Sequence, residues 1–131
     1  TLAKNVEFHG LLGPDYYRQS LEAMKARLPN ARVVLFSDDP GSAVELITPI
    51  HGIDHVVVPP PEVHAMESIA LMGHASALVI ANSSFSWWGA WLADPELTPV
   101  AAPSPWFSGA HVAEGDLCPP QWLRLPASLT T

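Results

Sequence analysis

Positive charge and cysteine are both scarce in this sequence: six Lys and Arg stand against thirteen Asp and Glu, for a formal charge of -7, and Cys118 is the only thiol. The basic footprint of a nucleic-acid binder is missing, so no nucleic-acid partner is expected and an anionic ligand must be held by local donors. A single cysteine closes no internal disulfide, which makes Cys118 a free, buried thiol compatible with reducing surroundings. Long apolar runs are lacking too. Nothing approaches the length of a membrane span, and the opening Thr1-Leu2-Ala3-Lys4-Asn5 has no secretion-signal core, so a soluble protein is expected. The chain starts without methionine, as a piece of something longer would.

What is present suits a globular domain. The 131 residues are 48% hydrophobic and 15% charged, and a domain of this size buries roughly two-thirds of its unfolded surface. Gly13-Pro14-Asp15 has the order of a helix start, and Tyr17, Leu21, Met24 and Leu28 recur at helical spacing, predicting a helix over 14–28. Val33 to Phe36 reads as a strand stopped by Ser37-Asp38-Asp39-Pro40-Gly41, followed by a short helix near 42–46. A strand at 54–58 ends in three prolines, a helix covers 64–75, and Ala77 to Ala81 forms the next strand. A helix at 84–93 and a strand at 99–102 follow. The proline-bearing tail, with Pro103, Pro105, Pro119, Pro120 and Pro126, is expected as an irregular strap. The alternation predicts an α/β fold with a parallel sheet of about four strands between helical layers, half of a nucleotide-binding architecture.

The segment from Ala81 to Leu92 carries the most information. An apolar strand gives way to Asn82-Ser83-Ser84, and Ser83, Ser84 or Ser86 is placed to cap a helix whose free N–H groups would suit a phosphate. Trp87, Trp88, Trp91 and Leu92 make that helix apolar on more than one face, which predicts burial. Core packing alone is the competing explanation of the tryptophans. Asp38 falls at a strand's carboxyl end, as the serine turn does, and such ends are where ligands gather in parallel sheets. A carboxylate there suits a guanine edge or ribose hydroxyls; an Asp-Pro-Gly turn is the plainer reading and is preferred over metal. His51, His55, His64 and His74 lack the spacing and companion ligands of a zinc site. Ser83 and Ser84 lack the glycines of a nucleophile elbow, and His111 is a weak base candidate.

Four segments taken in order, Asp15-Tyr16-Tyr17, Phe36-Ser37-Asp38-Asp39, Asn82 through Leu92, and Pro103 with Trp106-Phe107, resemble the C-terminal half of an α-1,2-fucosyltransferase of glycosyltransferase family 11. The resemblance runs from about Gly10 to Trp122. It implies a three-layer, Rossmann-like half of a GT-B enzyme, with residues 1–131 forming a single domain that binds GDP-fucose. The implied reaction transfers fucose with inversion to a galactoside, without metal or other cofactor, in the cytoplasm or at the periphery of the inner membrane. Asp38 would hold the guanine edge, and Ser83, Ser84 and Phe85 would contact ribose and diphosphate; no catalytic residue is assigned.

The family's His-x-Arg-Arg-Gly-Asp segment is not among these residues. A charge-assisted hydrogen bond is worth roughly 1.5–3 kcal/mol and a helix terminus about 0.3–1 kcal/mol, so weak donor binding and no transfer by these 131 residues alone are expected. A measurable transfer would mean that the arginine is dispensable or replaced by Arg18 or Lys4. A non-catalytic module for nucleotide sugars, or a gene remnant, is the alternative. The glycan acceptor would belong to the full enzyme, and an exposed sheet edge would allow a homodimer.

Overall fold

The computed structural model describes residues 11–37, 39–50, 56–60, 64–107, 117–127 and 129–130. Helix and strand alternate along the chain, and the strands fall into three ladders. After β1 (Leu11–Leu12) comes α1 (Pro14–Arg27), with Pro14 opening the helix and Asp15 in its first turn. Lys25 closes it by donating to Pro29 O at 2.8 Å and Ala31 O at 3.1 Å, a cation on carbonyls at the negative end of the dipole. The buried stripe of α1 is Tyr16, Ser20 and Met24, rotated by one residue from the one expected at its start. Tyr16 goes deepest because its hydroxyl finds carbonyl partners beneath the helix, whereas Tyr17, Leu21 and Leu28 are only part-buried.

The order continues with β2 (Val33–Val34), α2 (Pro40–Ile47), β3 (Val56–Val57), α3 (Ala65–Gly73), β4 (Leu78–Val79), α4 (Ser84–Trp91), β5 (Val100–Ser104), β6 (Leu123–Pro126) and β7 (Leu129–Thr130). β2 pairs parallel with β3, Val33 against Val56, and Leu35 N–H extends the pairing to Val57 O. β4, β5 and β6 form a second parallel ladder with β5 in the middle, and β1 pairs antiparallel with β7. The expected single sheet of about four strands is therefore, among the described residues, a two-stranded and a three-stranded parallel ladder. Phe36, just past β2, packs against the core built on β4 and β5, and so brings the carboxyl end of the smaller ladder to the larger one.

The tail is a second correction. It contains β6, in register with β5 from Ala101 opposite Leu123 to Ser104 opposite Pro126, instead of an irregular strap. Pro126 is its last residue and Pro119 and Pro120 fall in the turn before it, where a missing N–H costs little. Pro103 is tolerated inside β5 for a related reason. Ile80 N–H donates to Ala101 O, so residue 101 faces β4, and Pro103, two residues on, faces the same side beyond the last β4–β5 pair. Arg124 of β6 donates to Pro103 O from Nε at 3.2 Å and Nη2 at 2.7 Å, tying the tail down.

The core gathers Met72, Leu78, Ile80, Ala90, Ala93, Val100, Ala102, Trp106 and Trp122. The tryptophan helix departs from expectation here. Its buried face is Gly89 and Ala90, set against α3, while Trp88, Trp91 and Leu92 are 50%, 51% and 61% exposed. Of its tryptophans only Trp87 packs against the core, held by its indole N–H on Leu117 O at 2.7 Å. The small residues decide which side goes in: a Cβ at Gly89 would lie 2.6 Å from Met72 Cε, so only glycine lets α3 and α4 approach this closely. Cys118 is part-buried rather than buried.

Candidate functional site

β4 ends where Ile80 N–H meets Ala101 O at 3.0 Å, and the chain then bends through Ala81, Asn82 and Ser83 into α4. Three side chains fix that bend, one reaching in from α1 and two belonging to the bend itself. Tyr16 reaches up from α1: its hydroxyl donates to Ile80 O and lies 3.2 Å from Ala101 O, so it closes the ends of two neighbouring strands. Asn82, buried, donates from Nδ2 to Trp106 O at 3.1 Å. Ser83 is the N-cap, in extended conformation, and its Oγ accepts from Ser86 N–H at 3.2 Å.

The two hydroxyls of this turn use each proton once. Ser86 Oγ donates to Ala81 O at 3.0 Å, so Ser83 Oγ donates to Ser86 Oγ at 2.7 Å. With the cap closed in this way, the N–H groups of Ser84 and Phe85 have no partner among the described residues, nor does the exposed hydroxyl of Ser84. These first-turn donors sit at the positive end of α4 with no carboxylate in the turn, an arrangement that favours an anion. Of the residues expected in the site, Ser84 and Phe85 thus carry open donors, while Ser83 shapes the turn with its hydroxyl engaged.

Asp38 lies outside the described residues. Its neighbour Asp39 caps α2: Oδ1 accepts from Ser42 N–H at 3.3 Å, Oδ2 from Ser42 Oγ at 2.8 Å, and Asp39 N–H donates to Ser37 Oγ at 3.0 Å. The turn that was the plainer reading is present at Asp39, both of whose carboxylate oxygens accept from Ser42. His64 caps α3, its Nδ1 accepting from Met66 N–H at 3.2 Å, and His74 is the C-cap of the same helix. His51, His55 and His111 lie outside the described residues, and among the described residues no His, Cys, Asp and Glu side chains cluster as metal ligands. Arg18 lies 3.6 Å from both Asp15 and Glu22 on the surface of α1; Lys4 lies outside the described residues.

Burial raises the Tyr16 phenol well above the ordinary tyrosine range, and Tyr17 beside it is pushed up to about 12 by the same cause. Both hydroxyls stay protonated across the physiological range, so Tyr16 is a fixed donor. The tethers Tyr16 and Asn82 were not singled out from sequence as positioning residues. The available signal for Asn82 was a buried-strand run followed at once by an amide, but its partner Trp106 is 24 residues away.

Among the described residues no helix is long and apolar enough to cross a membrane. No solved structure matches the chain. It is 35% identical over 124 residues to an alpha-1,2-colitosyltransferase of Escherichia coli, covering 92% of this chain and 41% of that protein. It is 32% identical over 120 residues to the O-antigen biosynthesis glycosyltransferase WbnK of the same organism, covering 91% of this chain and 38% of the relative. The chain thus spans about two-fifths of the length of these relatives. The model of glycosyl transferase family 11 matches residues 4–125, nearly the whole sequence, and the chain belongs to that family.

Proposed function

We propose that this chain is the donor-binding part of an inverting α-1,2-fucosyltransferase, which takes fucose from GDP-fucose and passes it to a galactoside without a metal. The single observation that carries the reading is the pair of open N–H groups of Ser84 and Phe85, held in place by the Ser83 cap and the Tyr16 and Asn82 tethers. They would receive the diphosphate, with the Ser84 hydroxyl beside them. Asp38 would accept the paired N–H donors of guanine; Asp39, its neighbour, is committed to the α2 cap. The acceptor sugar and the catalytic step belong to the longer enzyme, and these 131 residues by themselves transfer no fucose.

A second donor, a colitosyl nucleotide, is favoured by the name of one relative. Both donors would share the guanine and diphosphate contacts. Calorimetry with GDP and ADP tests the reading: GDP binds more tightly than ADP, Asp38→Asn narrows that gap, and Ser84→Ala weakens both alike. Absence of heat with GDP on a folded chain, or equal loss for both nucleotides in Asp38→Asn, would overturn it. Competition between GDP-fucose and GDP-colitose then separates the two donors.

A further inference from the structure

Helix α4 ends, one helix length from its Ser83 cap, at a cavity of about 190 Å³. Eight residues at 1.5 Å each put about 12 Å between the two. The cavity opens at the amino end of β5, beside Val100, and its walls come from the last turn of α4 and from the segment that enters β6. It is separate from the donor cradle, which lies at the carboxyl ends of the strands.

We propose that this cavity is a carbohydrate site that takes one neutral pyranose ring. Its aromatic walls are Trp91 and Trp122. Trp91 is half exposed and lines the cavity, and its indole is stacked on Trp87 at 5.1 Å and 12°, which holds the ring still. An indole fixed in this way offers an electron-rich face to the slightly positive C–H groups of a sugar ring. Trp122, 7% exposed, is anchored in the core and contributes a second aromatic wall.

The polar groups complete the match. Asp94 Oδ1 accepts from Glu96 N–H at 2.8 Å and Leu97 N–H at 3.3 Å, so the carboxylate is oriented by its own turn. Its Oδ2 has no partner among the described residues and can accept from a hydroxyl. Gln121, exposed on the rim, offers an amide donor and a carbonyl acceptor, the complement of a second hydroxyl. Among the described residues Asp94 is the only acidic or basic side chain in the lining, which disfavours phosphates and uronic acids. The volume falls below the roughly 300–1,000 Å³ of sites for drug-sized ligands, so a nucleotide does not fit whereas a single ring does.

The test is saturation-transfer NMR and titration of the chain with methyl β-galactopyranoside, with methyl β-glucuronide as the charged comparison and GDP as the control. The galactoside is expected to bind with a dissociation constant on the order of 1 mM, as suits so small a ligand. The glucuronide should bind at least about tenfold more weakly. Trp91→Ala should lose about tenfold or more, Trp91→Phe should retain most of the affinity, and Asp94→Asn should weaken it several-fold, with GDP binding the same in all three. Trp91→Phe and Asp94→Asn keep the result readable if the alanine variant unfolds. No saturable binding of the galactoside, undiminished binding in Trp91→Ala, or equal binding of the glucuronide would overturn the proposal.

Discussion

Replacing Tyr16 by phenylalanine removes one oxygen from the point where α1, β4 and β5 meet. The ring still fills its place in the core, so the perturbation is confined to hydrogen bonding. Ala101 O keeps Ile80 N–H as a donor, but Ile80 O loses the hydroxyl that satisfies it. Tyr16 and Ile80 are each 1% exposed, so water has no route to the orphaned carbonyl. Leaving a buried acceptor unsatisfied costs about 1–3 kcal/mol, and about 2 kcal/mol is expected here. An unfolding entropy of about 2.1 cal/mol/K per residue, taken over the 131-residue chain, turns that into a melting temperature lower by about 7 °C. Thermal melts at neutral pH measure it. Tyr17→Phe is the control, because the Tyr17 hydroxyl has no hydrogen-bond partner among the described residues, and its melt should move by no more than about a third as much. A Tyr16→Phe melt within about 1 °C of the parent would refute the clamp.

Gly89→Ala should destabilise by about 1–3 kcal/mol, since its Cβ would meet Met72 Cε at 2.6 Å and Met72 Cβ and Sδ at 3.0 Å; the flexible Cε can move, but the Cβ moves only with the helix. Urea midpoints check this, and the cost should shrink when Met72→Ala is added, because the two side chains compete for one space. Alkaline pH should unfold the protein early. Tyr17 is raised from 10.0 to about 12 by burial, so the stability it contributes is fully present below pH 10 and is lost as pH rises towards 12. Tyr16 acts in the same direction, and melts from pH 9 upward in Tyr17→Phe should fall less steeply than those of the parent, with no change on the acid side.

Much of this arrangement was legible in the sequence because it depends on local chemistry. Pro14 and Asp15 mark the start of α1 by the fixed φ of one and the charge of the other, while the hydroxyl after β4 and the Asp-Pro-Gly turn mark the caps of α4 and α2, each accepting from an N–H three residues on. The order of the four segments was enough to identify the family, whose model covers residues 4–125. Which face of a helix turns inward was decided elsewhere. The tryptophans of α4 suggested a buried helix by their hydrophobicity, yet α3 packs against Gly89 and Ala90, because the absence of bulk, rather than its presence, permits close approach.

The same holds for the tail and for α1. Pro119, Pro120 and Pro126 argued against a strand, and only the open edge of β5 made room for β6 to pair there. Tyr16, rather than Tyr17, lies deepest because two carbonyl oxygens, 64 and 85 residues further along the chain, wait beneath it. A sequence states the reach of each cap and the period of each stripe, since both act over a turn or two. It is silent about partners brought together by folding, and the carbonyl that receives Tyr16, the carbonyl that holds Asn82 and the Met72 side chain that excludes a Cβ at Gly89 are all of that kind.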